Sequence, residues 1–208
     1  AFVSEQKHFL GLGVFVENQV GTYETELSIV DGQQRMTTLT IICSVLRDYV
    51  KYQLNDQLNK MILKSEKNLE YQKLILAYEN FIFIKPELIG DPIDKLVPSF
   101  IDKDDYLALV KNTQDTLTTK VDRLQSIPTT HRTLYQRAFL KVYEFVREQL
   151  ESGVDIDQFF LEFYYKIADG LTLIPFVTRE EDDAFNLFET LNDRGLSLSA
   201  LDLIKNKV

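Results

Sequence analysis

The stretch IVDGQQRMTTLTII, residues 29–42, decides how this chain reads. A short β-branched run, Ser28–Val30, predicts a strand that feeds directly into Asp31 and Gly32. A helix is predicted from about Gln34, because Leu39, Ile42, Leu46 and Tyr49 recur at steps of three or four on one apolar face. A strand–turn–helix of this kind leaves backbone N–H groups without intrahelical partners at the helix start. The helix dipole favours an anion at the same place. Gly32 permits a tight turn and close approach of a ligand, and Arg35 adds a planar cation matched to phosphate oxygens. Gln33 and Gln34 are suited to orienting a water, a base or a ribose, and Thr37 and Thr38 bring hydroxyls to the first turn. The group suits a phosphate, most naturally that of a nucleotide. The plainer alternative is an ordinary strand–glycine–helix turn with Asp31 as helix cap, since short motifs recur without function. The G-x-x-x-x-G-K pattern of a Walker loop is absent.

Outward from this stretch, HFLGLGVFVENQ predicts a strand near Phe9–Val16, TELSIV predicts one near Glu26–Val30, and the polar residues Glu17–Thr25 read as a hairpin-like connection. The segments Asp56–Leu63 and Glu66–Ile82 read as helical. Pro86, Pro92 and Pro98 break the next stretch into loop. Asp102 reads as the cap of a helix over Asp104–Val110. Residues 113–126 are polar and irregular in pattern and read as partly helical. A long helix is expected over His131–Glu151 with Leu134, Ala138, Val142 and Phe145 as its core stripe, followed by one over Ile156–Ile167 that ends at Gly170. LTLIPFVT, residues 171–178, predicts a strand whose Pro175 calls for an edge or bulge position.

A second motif, AFNLFETLNDRGLSLSALDLIKN, occupies residues 184–206. Ala184, Leu187, Phe188 and Leu191 fall on one helical face, with Phe185, Glu189 and Asn192 on the flank beside it. Gly195 suits the helix stop, and Ser199 with Asp202 suits the start of a further helix. Glu189 is suited to holding a metal ion or accepting a proton, Asn192 to binding a base or phosphate, and Arg194 to meeting an anion. Each also has an ordinary role. Arg194 at a helix C-terminus complements the dipole by about 0.3–1 kcal/mol, Asp202 is a cap, and Lys205 is a solvated lysine.

The resulting expectation is an α+β fold: a small mixed sheet near the chain ends and a large, mainly α-helical insertion at 50–165 within a single domain over 1–208. The chain begins and stops inside patterned segments, so it reads as a piece truncated at both ends. Of its 208 residues, 45% are hydrophobic, enough for a buried core. The formal charge is −9, which opposes the broad basic surface of a dedicated nucleic-acid binder. One cysteine, Cys43, excludes an internal disulfide framework and a cysteine-rich zinc site and fits a reducing, cytoplasmic setting. No uncharged apolar run approaches the ~18 residues of a membrane helix, so no membrane role is expected.

DGQQRMTTL near the start and FETLNDRGLSLSALDLIKN near the end together resemble the N-terminal domain of GmrSD-type restriction endonucleases, as does FLGLGVFVEN at residues 9–18. The resemblance spans nearly the whole chain, with little signature in the helical middle. It implies a sheet similar to the ParB and sulfiredoxin fold, with NTP binding and hydrolysis that regulates cleavage of modified or foreign phage DNA. On that implication Asp31, Gly32, Gln33, Gln34 and Arg35 form the nucleotide site, with Gln33, Gln34 and Arg35 as its catalytic groups. Glu189, Asn192 and Arg194 face it, and an NTP with Mg²⁺ is bound. It also implies an HNH-type nuclease as a further domain or as a partner, and DNA contact through the full-length protein. The chain departs from the family in having no tryptophan, and its only histidines, His8 and His131, are not spaced as a nuclease motif. NTP hydrolysis is therefore expected of the full-length protein rather than of this piece alone. The alternative is a non-hydrolysing module that senses a nucleotide or a DNA mark and relays it to a nuclease partner. A direct DNase acting through this turn is disfavoured by the charge of −9.

Overall fold

The structure, a computed structural model, describes residues 7–20, 25–59, 65–84, 91–98, 103–111 and 115–193. In chain order the elements are β1 (His8–Gln19), β2 (Thr25–Asp31), α1 (Gln33–Asn59), α2 (Ser65–Ile82), β3 (Phe83–Ile84), β4 (Ile93–Asp94), α3 (Lys103–Val110), α4 (Leu117–Ser126), α5 (Leu134–Glu151), α6 (Ile156–Ala168), β5 (Leu171–Thr178) and α7 (Glu181–Asp193). The fold is α+β, with its mixed sheet built from strands near the two chain ends. The chain divides into two compact units, residues 1–35 with 165–208, and residues 36–164.

The first unit holds a three-stranded sheet in the order β2-β1-β5. β1 runs antiparallel to β2 and parallel to β5. Alternation along β1 sends Leu12, Val14 and Val16 to one face, where Val14 and Val16 pack with Ala184 of α7, joined by Val30, Phe176, Leu187 and Leu191. This is the helical face foreseen in the sequence, although Phe188 stands outside the cluster. The first turn of α7 carries Glu181, Asp182 and Asp183, the charge its dipole favours. β5 lies at the sheet edge among the described residues, the position that its Pro175 requires. Gly170 before it is demanded by space: a Cβ there would sit 2.6 Å from the Lys166 carbonyl oxygen. One expectation is corrected. Glu17–Gln19 are not connection but strand, with Gln19 paired to Thr25; polar residues suffice there because neither face is deeply buried.

In the second unit α1 is the central element. The sequence suggests a single apolar face, yet every residue from Cys43 to Val50 is buried. Its Tyr49 stacks on Tyr143 at 5.4 Å and donates a hydrogen bond to the Tyr143 carbonyl at 3.1 Å. Tyr78 of α2 donates to the Phe160 carbonyl at 2.7 Å. Residues 117–126, polar and irregular in pattern, form the regular helix α4. Thr116 caps it by accepting from the Thr119 N–H at 3.2 Å, and Leu117, Val121 and Leu124 are its buried stripe.

The proline-rich stretch is not all loop. Phe83–Ile84 and Ile93–Asp94 pair antiparallel, too briefly for any alternation to show in the sequence. The helix expected from His131 starts at Leu134, after a 3₁₀ turn at Thr129–His131. Thr133 and Gln136 close a capping box, each side chain taking the other's backbone N–H. Its core stripe is also different. Phe139, Leu140 and Val146 are buried, whereas Leu134 is 69% exposed and Phe145 44% exposed. Leu134 is the first residue after the cap, where it has no preceding turn to lie against, and Phe145 meets Phe163 edge-on at the margin. Residues 60–64, Asp102, Gly195, Ser199 and Asp202 lie outside the described residues.

Candidate functional site

The turn that joins β2 to α1 is built by two irregularities in the sheet. In the β1–β5 ladder Phe9 pairs with Thr172 and Gly11 with Leu173, so Leu10 is an extra residue without a partner on β5. In the β1–β2 ladder Phe15 pairs with Ile29 and Val14 with Asp31, so Val30 is extra. Bulges of this kind free a backbone group and re-aim the neighbouring side chain. Both consequences converge on Arg35. Its Nη1 donates to the Leu10 carbonyl at 2.7 Å, and its Nη2 donates to Asp31 Oδ2 at 2.7 Å. The ion pair is about one-third exposed on each side, so its Coulomb attraction is screened and its value lies in geometry.

Gly32 takes φ +101°, a conformation that favours glycine, and is buried. A Cβ on it would stand 3.5 Å from Arg35 Nη2 and 3.7 Å from the Cα of Gly13. These are ordinary van der Waals distances, with the guanidinium and the Gly13 backbone as the neighbours. Gln33 and Gln34 open α1, with Gln33 half-buried and Gln34 exposed. The first turn of α1 carries no acidic side chain. A guanidinium has five N–H donors. Two of Arg35's are engaged, and the other three have no acceptor among the described residues.

The structure brings Asp31, Gly32, Gln33, Gln34 and Arg35 together at one turn. Thr37 and Thr38 follow on α1, Thr37 buried and Thr38 exposed. Glu189 is exposed on α7. The side chain of Asn192 and all of Arg194 lie outside the described residues. Among the described residues no group of three or more His, Cys, Asp or Glu side chains is gathered as a metal site. A groove of about 290 Å³ in the same unit is lined by Val16, Ser28 and Val30 of the sheet and by Glu181, Asp182 and Phe185 of α7.

One constellation escaped the sequence reading. In the second unit Arg47 and Lys120, both essentially without exposure, share the carboxylate of Asp48. Arg47 Nε donates to Asp48 Oδ1 at 2.9 Å, and Lys120 Nζ donates to Asp48 Oδ2 at 2.8 Å. The two cations also receive the carbonyls that end α3: Arg47 binds Val110 and Lys111, and Lys120 binds Leu109 and Lys111. A helix C-terminus favours positive charge, which offsets part of the desolvation. Burial, opposed by Asp48, holds the Lys120 ammonium below the ordinary lysine range. Lys51, paired to Glu79 at 3.0 Å, is lowered for the same reason. Asp48 and Lys51 line a cavity of about 500 Å³ with Tyr52, Asn55, Asp56 and Asp115. The available signal was an Arg-Asp pair inside the apolar run VLRDYV at residues 45–50.

The arrangement defines a small mixed-sheet domain whose strand–glycine–helix turn sets the start of a helix beside a fixed arginine. The model of the GmrSD restriction endonuclease N-terminal domain family matches residues 3–208, and the chain belongs to that family. Membership makes it a component of a DNA restriction system. No curated protein matches the chain. No helix among the described residues is long and apolar enough to cross a membrane.

Proposed function

We propose that this chain is the nucleotide-binding regulatory domain of its restriction system, and that NTP hydrolysis at the Asp31–Arg35 turn governs cleavage of modified or phage DNA by an HNH-type nuclease domain or partner. The observation that carries the reading is Arg35, fixed by the Leu10 carbonyl and Asp31 beside Gly32 at the start of α1, with three N–H donors that meet no acceptor among the described residues. This fits a phosphate: the helix N-terminus supplies a favourable dipole, and the absence of a Cβ at Gly32 keeps the approach open.

On this reading Arg35 donates to phosphate oxygens as negative charge grows on them. Gln33 or Gln34 orients the attacking water, and Thr37 and Thr38 lie next along α1. Positioning and electrostatics dominate phosphoryl transfer, so a fixed guanidinium is the feature such a site needs most. Bound Mg²⁺ would neutralise charge between the phosphates, with Glu189 its candidate protein ligand and Asn192 and Arg194 candidates for the nucleotide. Asp31 offsets Arg35's charge, so affinity rests on aligned hydrogen bonds rather than on a bare cation.

Calorimetric titration with each of the four NTPs and Mg²⁺, beside an Arg35→Ala variant, tests this reading. Saturable binding that the variant loses is the expected result; equal binding by both would remove Arg35 from the site. Stoichiometric binding without product release by the full-length protein would favour the alternative, a sensor that relays occupancy without hydrolysis.

A further inference from the structure

The interior of a strand is a poor place for glycine, which adds backbone entropy and packs no side chain, yet β1 carries one at position 11. Gly11 has φ +99°, and it follows the bulged residue Leu10. An ideal Cβ at Gly11 would lie 2.5 Å from Arg35 Nη1, closer than real Cβ atoms come to any neighbour. The same Nη1 donates to the carbonyl of Leu10 at 2.7 Å. So the bulge exposes the carbonyl, and the missing side chain lets the guanidinium reach it. On the other side the second bulge, at Val30, sets Asp31 to accept from Nη2.

We propose that Gly11 is a positioning residue: with the Leu10 carbonyl and Asp31 it forms a seat that fixes the Arg35 guanidinium in one orientation and turns its remaining N–H groups to the anion. This deepens the nucleotide reading above and rests on it for its functional consequence, while the seat itself is independent of that reading. An arginine held at two of its nitrogens is pre-organised, so binding an anion costs little further side-chain ordering. A lysine cannot reproduce two directed contacts at once.

The test is a double-mutant cycle of Gly11→Ala and Arg35→Lys, read by NTP–Mg²⁺ titration and by thermal unfolding. Gly11→Ala should weaken NTP binding by about 10- to 100-fold, the effect of misplacing one charge-assisted hydrogen bond. In the Arg35→Lys background the same change should alter affinity by less than about 2-fold, because there is no guanidinium left to displace. Unaltered NTP affinity in Gly11→Ala, or an equal loss in both backgrounds, would overturn the proposal, since a purely structural glycine adds its cost whatever stands at position 35. If neither Arg35→Lys nor Arg35→Ala alters NTP binding, the nucleotide reading fails. The seat is then judged by unfolding midpoints, where non-additive losses uphold it and additive losses refute it. If Gly11→Ala does not fold, side-chain ¹⁵N spectra of wild type decide. Separate, slowly exchanging Nη signals for Arg35 are expected, and one averaged signal would refute the seat.

Discussion

Removing the carboxylate of Asp48 should be among the most damaging single changes in the second unit. Asp48→Ala leaves Arg47 and Lys120 buried without their shared anion, at 0% and 1% side-chain exposure. Removing one partner of a buried ion pair costs about 3–5 kcal/mol, because the remaining charge stays desolvated. Here two cations are left behind, which pushes towards the upper end. The carbonyls of Leu109, Val110 and Lys111 still receive them, which pulls back. For a chain of this size each kcal/mol moves the thermal midpoint by about 2–4 °C, so a fall of about 6–20 °C is expected in a calorimetric or fluorescence melt. The pH dependence has a defined sign. Lys120 is already lowered in the folded state by burial, and Asp48 opposes that lowering. Without Asp48 the folded protein sheds this proton more readily than the unfolded chain does. The unfolded state then binds more protons, and stability rises with pH towards the ordinary lysine value. The deficit of Asp48→Ala should therefore shrink as pH rises through the alkaline range towards the ordinary lysine value. A loss under about 1 kcal/mol, the size of a surface pair, or a deficit that grows over that range, would refute this account of the network.

Two further outcomes follow from burial. Tyr49, Tyr71, Tyr78 and Tyr106 all have phenols raised above the ordinary value, each chiefly by burial; a raised folded value gives stability that is present below about pH 10 and lost as pH rises beyond it. Ultraviolet titration should show about four of the ten tyrosines ionising only as the protein unfolds, and smooth titration of all ten in the native state would contradict their burial. Cys43 is 1% exposed with its thiol pushed up to about 12 by burial, so a disulfide reagent at pH 8 should react only at the rate of unfolding.

What the sequence disclosed and what it hid divide by range. The turn at Asp31–Arg35 could be read from residues 29–42 because its parts lie within one strand end and one helical turn. The same is true of the Ala184–Leu191 face, whose spacing alone predicts a buried stripe. The seat of Arg35 was hidden because Leu10 lies 25 residues away and is freed only by a bulge, which leaves no mark in an apolar pattern. The ion network was hidden for the same reason: Lys120 meets Asp48 across 72 residues. On α5 two apolar sets interleave, and periodicity could not say which one the neighbouring helices would cover. On α4 the threonines and charges of one face concealed a stripe of Leu117, Val121 and Leu124. The strands β3 and β4 are two residues long, shorter than any alternation can register.

On this reading a nucleotide phosphate binds at the Gly32 turn through Arg35. Calorimetric titration of the chain with ATP, GTP, CTP and UTP in the presence of Mg²⁺, side by side with Arg35→Ala, tests it most directly. Saturable, one-to-one binding of at least one nucleotide is expected, weakened at least about 10-fold in the variant, as loss of a charge-assisted contact implies. Binding of equal strength in both proteins, or no heat with any of the four, would contradict it.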